Sequence, residues 1–393
     1  EFGIKYLVHQ RRTVLGDEMG LGKTIQALGA AVHINATESA NRFLIVAPAS
    51  ILGNWEREIS SRTDLPIHML HGPQRDVTLR KWQTFGGFGL TSFATLRSLQ
   101  DLDRAVIDYL IVDEAHYAKN PGAGRSKSIS RLAANSERVT LMTGTPLENR
   151  VLEFVNLIRI CDGNLATKVN SVAGGGILPG GNADQFVSQI APVYLRRNQQ
   201  DVLTELPEMM ETDEWVELTD DDWKNYDASI AARRMMKMRQ AANGLSTDSA
   251  KMKRLAELAD FYRDQNQKIV VFSYFKSTLE LAARVVNSGH RIDGSVPINQ
   301  RMKIVDGFNN SPDWESFVLQ IGAGGVGLNL QSAAAVILIE PQYKPTTEWQ
   351  AIKRVHRMGQ TQRVMVHRLL ASDTVDERLR DMNGSKTMLF DDY

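Results

Sequence analysis

The chain has 393 residues, more than one ordinary core holds, so two or three domains are expected. Lys+Arg and Asp+Glu number 46 each; zero net charge excludes bulk basicity as a basis for nucleic-acid binding, and any such site must be a local basic cleft. The only cysteine, Cys161, excludes an internal disulfide framework and a cysteine-based zinc cluster, and no apolar run reaches membrane-spanning length.

Cys161 reads as a small core residue, and its solitude suits a reducing compartment. Glu1 to Arg12 has no apolar core of the secretory kind. Glu1-Phe2 reads as a cloning scar or a truncation point.

The first predicted element is a strand at Val14-Leu15. It runs into G-D-E-M-G-L-G-K-T, Gly16 to Thr24, and then into a helix-like stretch, Ile25 to His33. Strand, glycine-rich turn and helix together make a phosphate cradle. Glycines let backbone N–H groups approach an anion, and the helix N-terminus adds partial positive charge. Lys23 supplies a full charge, and Thr24 can place its hydroxyl on magnesium. Asp17 stands where the G-x-x-x-x-G-K-[ST] pattern has its first glycine. Asp17, Gly20, Leu21, Gly22, Lys23 and Thr24 are the nucleotide-binding candidates.

Continuous apolar runs follow: Phe43 to Ala47, Tyr109 to Asp113 and Val139 to Met142. Continuous rather than alternating runs suit parallel strands covered on both faces. A helix is expected over Ile51 to Ser60, with Trp55 and Ile59 on one face. The glycine runs at Gly174 and Pro179 read as a surface loop. Asp220 to Ala242 reads as helical, with Met235, Met236 and Met238 as core packing. Its Arg233, Arg234, Lys237 and Arg239 read as a solvated face, with a nucleic-acid contact as the alternative. The strand rhythm resumes at Lys268–Ser273, Phe317–Gln320, Val336–Glu340 and Val364–Leu370. The fold class is α/β, in two doubly wound halves, with a boundary near Leu206-Pro207.

Asp113-Glu114 closes an apolar strand. A carboxylate there, beside a phosphate loop, is where nucleotide hydrolases hold magnesium. Asp113 would reach the metal through water, and Glu114 would polarise the attacking water. Thr143-Gly-Thr145-Pro146 ends the next strand, where small hydroxyls can relay between nucleotide and a bound polymer. In the second half, Gly322 to Leu330 reads G-A-G-G-V-G-L-N-L, whose backbone amides can meet phosphates, Gly327 among them. Gln350, Arg354 and Arg357 fall at i, i+4 and i+7, one face if helical, and suggest arginine fingers toward a γ-phosphate. A solvated basic face is the alternative.

The ordered series D-E-M-G-L-G-K-T, L-I-V-A-P-A-S-I-L-G-N-W, D-E-A-H, T-G-T-P-L-E-N, G-A-G-G-V-G-L-N-L and Q-A-I-K-R-V-H-R-M-G-Q resembles the Swi/Snf family of helicase superfamily two. Arg196 to Val202 and Asp293-Gly-Ser295 resemble its intervening blocks, and Asp17 is usual there. The resemblance implies two RecA-like lobes, 1–206 and 207–393, with helical insertions near 152–197 and 220–242. It implies ATP and Mg2+ as ligands, double-stranded DNA as partner, and hydrolysis that drives translocation along the duplex. Lys23, Asp113, Glu114, Gln350, Arg354 and Arg357 would be catalytic, and Thr24 and Asp113 would hold the metal. Pro48, Ser50, Asn54, Thr145, Gly324 and Gly325 would meet the DNA backbone.

The adenine-recognising glutamine of the family would fall just before Glu1. No bromodomain-like, chromo-like or SANT-like appendage is expected, which leans toward a minimal motor core or an excised fragment. An intracellular setting is expected, nucleoid or cytoplasm in a microbe and nucleus in a eukaryote, and nothing calls for an obligate oligomer. Two other readings stand beside the translocase: a strand-separating helicase, and a nucleotide-gated DNA-binding module without turnover.

Overall fold

The computed structural model describes residues 1–118, 120–144, 151–172, 188–198, 202, 206–231, 234–322 and 328–382. The chain divides into two compact units, Glu1–Val202 and Leu203–Asp392. Among the described residues, no helix is long and apolar enough to cross a membrane.

Among the described residues unit one is built on seven strands: β1 (Arg12–Leu15), β2 (Arg42–Ala47), β3 (Ile67–Met69), β4 (Gly87–Ser92), β5 (Ile107–Val112), β6 (Ser136–Met142) and β7 (Tyr194–Leu195). Their order is β3-β4-β2-β5-β6-β1-β7, and every pairing is parallel. Phe43 to Ala47 and Tyr109 to Val112 are buried throughout, so helices must cover both faces. Helix α1 (Phe2–Gln10) packs on α2 (Lys23–Glu38); a Cβ at Gly29 would come within 2.6 Å of Ile4. Helix α3 (Leu52–Arg62) buries Leu52, Trp55 and Ile59. The Arg12 guanidinium donates to the carbonyls of Ala133 (2.8 Å) and Cys161 (3.1 Å), at the ends of two helices, and of Ser136 (2.9 Å), at the start of β6. Cys161 itself is buried.

Among the described residues unit two has six strands: β8 (Met209–Val216), β9 (Ile269–Ser273), β10 (His290–Ile292), β11 (Ser316–Gln320), β12 (Ala335–Leu338) and β13 (Val364–Ala371). They run β10-β11-β9-β12-β13-β8, again all parallel. The edge strand β8 pairs with β13 from Met209↔Val364 to Val216↔Ala371.

The stretch expected as one helix from Asp220 to Ala242 is two, Asp220–Ala231 and Met235–Ala242, with Arg234 extended before the second. Its burial meets the expectation only in part: Met238 packs half-buried against Leu218, Tyr226 and their neighbours, and Arg234 and Lys237 are exposed, while Arg233 lies outside the described residues. Met235 and Met236 are exposed, whereas Arg239 is 1% exposed. The Arg239 guanidinium lies over the rings of Tyr343 (4.6 Å), Phe275 (5.5 Å) and Tyr274 (5.6 Å) and donates to the Pro341 carbonyl at 2.7 Å. Its planar, weakly hydrated cation suits such an aromatic cage.

A sheet with all strands parallel has all its carboxyl ends on one edge. Residues that immediately follow β1, β2, β5 and β6 therefore converge, however far apart they lie in the chain.

Candidate functional site

The phosphate-loop candidate, Gly16 to Gly22, leaves β1 at that edge and enters α2 at Lys23. Gly20 (φ 90°) and Gly22 (φ 70°) occupy the left-handed region, which a side chain would strain. Leu21 is buried, so only its backbone is available to a ligand. The Lys23 Nζ donates to the carbonyls of Asp17 (2.6 Å) and Glu18 (3.2 Å). Burial pushes its ammonium below the usual pKa, while Glu114, then Asp17 and Asp113, pull it back up. Thr24 follows on the first turn of α2.

The Asp17 carboxylate is wholly buried and turned into the protein. Arg197 donates to both of its oxygens, Nε to Oδ1 at 3.1 Å and Nη2 to Oδ2. Gln26 Nε2 donates to Oδ2 at 3.1 Å and to the Leu21 carbonyl at 2.9 Å. Neither Gln26 nor the pairing of Arg197 with Asp17 was legible in the sequence.

Asp113 and Glu114 follow β5 on the same edge. Asp113 Oδ2 accepts the Trp55 indole N–H at 2.9 Å, and Oδ1 accepts the backbone N–H of Glu114 at 2.8 Å. Burial, then the neighbouring Glu114 carboxylate, push Asp113 up to about 6, against the Trp55 hydrogen bond and the charge of Lys23. Glu114 has φ 51°, a left-handed conformation costing a non-glycine residue about 1–3 kcal/mol. Its Oε2 lies 3.2 Å from His116 Nδ1. Trp55 was expected only as a core residue. The signal that could have marked it is general: a buried indole N–H requires an acceptor.

After β6, Thr143 is buried, and Met19 packs so close to Gly144 that a Cβ there would meet it at 2.7 Å. Pro48 and Ser50 lie half-buried in the turn from β2 into α3 and Asn54 half-buried in the first turn of α3, where Gly53 faces open space. Thr145, Gly324, Gly325 and Gly327 lie outside the described residues.

In unit two, Gln350 lies on the helix Pro345–Ile352. Arg354 and Arg357 do not share its face, because the helix ends at Ile352. The backbone tightens there: Arg354 N–H donates to Ala351 (3.2 Å) and Val355 N–H to Ile352 (3.0 Å). The turn is braced from outside. Leu330 N–H donates to the Arg354 carbonyl at 2.9 Å, Gln360 Nε2 to the Ala333 carbonyl at 2.9 Å, and His356 Nε2 lies 2.9 Å from the Pro207 carbonyl. Both arginines are half-buried on this braced turn.

Glu340, just past β12, is a second residue the sequence did not mark. It accepts from Tyr274 N–H (2.5 Å), Ser273 Oγ (3.0 Å), Asn243 Nδ2 (3.0 Å) and Gln342 Nε2 (3.1 Å). Lys251 joins the same buried network, donating to Asn243 Oδ1 (3.1 Å) and Asp376 Oδ2 (2.5 Å). Burial pushes Glu340 upward.

The family model for the SNF2-related domain matches residues 1–268, and the helicase conserved C-terminal domain matches residues 250–359. The ATP-dependent helicase fft1 of Schizosaccharomyces pombe is 27% identical over 96% of this chain and 50% of its own length. The CHD3-type chromatin-remodeling factor CHR7 of Arabidopsis thaliana is 28% identical over 96% of this chain and 35% of its own. The chain thus spans between a third and a half of these curated relatives. The Sulfolobus solfataricus SWI2/SNF2 ATPase core, solved in complex with dsDNA, matches with TM-score 0.50 and 24% identity, covering 99% of this chain and 90% of that one. That likeness identifies the fold.

Proposed function

The chain belongs to the SNF2-related family, and on that premise we propose that it hydrolyses ATP to move along double-stranded DNA without separating the strands. Its two units are RecA-like α/β lobes. The observation that carries the reading is the electrostatic meeting of Lys23, Asp113 and Glu114 at the carboxyl edge of one parallel sheet.

In this reading the backbone of Gly20 to Gly22 and the Lys23 ammonium receive the triphosphate. Among the described residues no group of three or more His, Cys, Asp or Glu could cage a metal alone. That fits a magnesium ion that arrives with the nucleotide and keeps most of its waters, with Thr24 and Asp113 holding it. When bound, it would neutralise charge on the phosphate oxygens. Glu114 takes the proton of the attacking water as the bond from the γ-phosphorus to the bridging oxygen breaks, leaving ADP and phosphate. Arg354 and Arg357 supply the remaining positive charge to the transition state, and Gln350 adds a neutral amide hydrogen bond. Pro48, Ser50 and Asn54, with Thr145, Gly324 and Gly325, take the duplex backbone.

ATP turnover measured with and without duplex DNA tests the reading. Turnover is expected to rise on adding duplex, and third-strand displacement from a triplex to proceed while a forked duplex stays paired. Duplex affinity is expected to fall roughly 10²-fold or more between about 50 and 200 mM salt, through counterion release. ATP left intact in the presence of duplex would refute the motor, and unwinding of the fork would favour a strand-separating helicase.

Asp113 must be ionised to hold a cation, so activity should fall as pH drops through its pKa. Trp55 supplies a hydrogen bond that lowers that pKa. Trp55→Phe removes the donor, and the acid limb of the pH–rate profile is expected to move up by about one pH unit, with little change at pH 8. Superimposable profiles for the two proteins would show that the indole does not tune Asp113.

A further inference from the structure

A carboxylate at the head of a phosphate loop is electrostatically misplaced. Asp17 carries negative charge into the loop assigned above to a polyanion, and it does so fully buried. Such a group persists only if it is paired. Its partner comes from the far end of unit one. Beyond the β1–β7 pairing the two chains continue side by side, with Gly16 N–H donating to Leu195 (2.7 Å) and Glu18 N–H to Arg197 (2.9 Å). This places the Arg197 guanidinium against Asp17 in a two-point pairing, and its Nη2 also donates to Gln26 Oε1 at 2.8 Å. Gln26 returns to Asp17 and to the Leu21 carbonyl, so one ring of hydrogen bonds grips both ends of the loop. Helix α1 closes over it. The Phe2 ring lies 5.6 Å from the guanidinium, and any Cβ on Gly3 would collide with Gln26 at 1.7 Å.

We propose that Arg197 is a positioning residue of the nucleotide site: it neutralises Asp17 so that Lys23 stays available to the phosphates. Lys23 already feels the Asp17 charge and contacts the Asp17 carbonyl. Without Arg197, the buried carboxylate draws on Lys23, and pairing with it pulls the ammonium away from a ligand. Arg197 thus divides the work between two cations, one for the loop's own anion and one for the substrate's. The assignment rests on the nucleotide-binding reading given above.

Binding of ADP, measured by calorimetry on the whole chain alongside a thermal melt, tests it. Arg197→Gln is expected to weaken ADP about tenfold. Asp17→Asn added to Arg197→Gln removes the uncompensated charge and is expected to restore affinity to within about threefold of wild type. A residue that merely braced the fold would give the opposite, a double variant no better than the single. Arg197→Lys keeps the charge but loses the two-point geometry, and should fall between wild type and Arg197→Gln. Should Arg197→Gln fail to fold, Arg197→Lys decides the matter: weaker ADP binding supports the role and wild-type affinity overturns it. Wild-type affinity in a folded Arg197→Gln, or no recovery in the double variant, also overturns it. A wild-type chain that binds no ADP would instead bring down the nucleotide reading itself, and this one with it.

Discussion

Lys23→Ala is expected to lower ATP turnover by about 10³-fold, with or without duplex, while leaving the melting temperature within a few degrees of wild type. The loss follows from the charge that phosphoryl transfer places on the γ-phosphate oxygens. A preorganised cation at that point acts where water is excluded, and its removal costs far more than a surface charge would. The mild effect on folding follows from what Lys23 touches. Its ammonium contacts two backbone carbonyls, and burial already disfavours its charge. The loop is held independently by Gln26 and Arg197. Steady-state turnover and a thermal melt check both halves. Wild-type turnover in a folded variant would remove Lys23 from the chemistry.

Arg357→Ala is expected to abolish the duplex-stimulated part of hydrolysis, by about 10³-fold or more, the scale of an arginine finger's effect in phosphoryl transfer. Nucleotide binding to unit one should persist, because none of the loop contacts described above involves unit two. Arg357→Lys is expected to fail nearly as badly, since an ammonium cannot reproduce the guanidinium fork. The arginine sits on a turn fixed by Gln360 and by the Leu330–Arg354 hydrogen bond rather than on a free helix face, so little order should be lost on removing one side chain. Turnover with saturating duplex, set beside ADP affinity, separates a chemical role from a binding one. Full stimulation in Arg357→Ala would assign Arg357 to the solvated basic face instead.

The strands that the sequence disclosed most plainly are those whose residues are buried on both faces. Phe43 to Ala47 and Ile269 to Ser273 are continuous apolar runs because each must pack against helices above and below. Strand β4 escaped notice because Gly87 and Gly89 interrupt its apolar run, yet both answer to close neighbours: Cβ atoms there would meet the Pro66 carbonyl and the Leu70 side chain. Strand β8 is hidden for another reason. It is an edge strand, and its Glu211, Asp213 and Glu214 pair with Arg368, Arg380 and Arg254, so its sequence is polar. In the candidate site, Lys23, Asp113 and Glu114 were legible because phosphate-binding chemistry dictates residue type at a helix start and at a strand's end. Trp55 and Arg197 were not, since each acts through a carboxylate distant in the chain and no local pattern announces such a pairing. The helical placement of Arg354 and Arg357 failed because spacing alone cannot reveal that hydrogen bonds from Leu330 and Gln360 shape a turn there. Met235 and Met236 misled because apolar composition was read as burial, whereas an aromatic cage selected Arg239 for the interior.

The pairing of β1 with β7 also has a bearing on how the protein is made. The head of the phosphate loop is complete only when Arg197 reaches Asp17, 180 positions upstream. On a ribosome adding about 5–20 residues per second, the nascent loop waits roughly 10–40 s for its last partner. Throughout that interval an unneutralised aspartate sits at the mouth of the future binding site. A half-synthesised first lobe should therefore hold nucleotide poorly, and competence should arrive late and all at once, near the point where the second lobe begins to emerge.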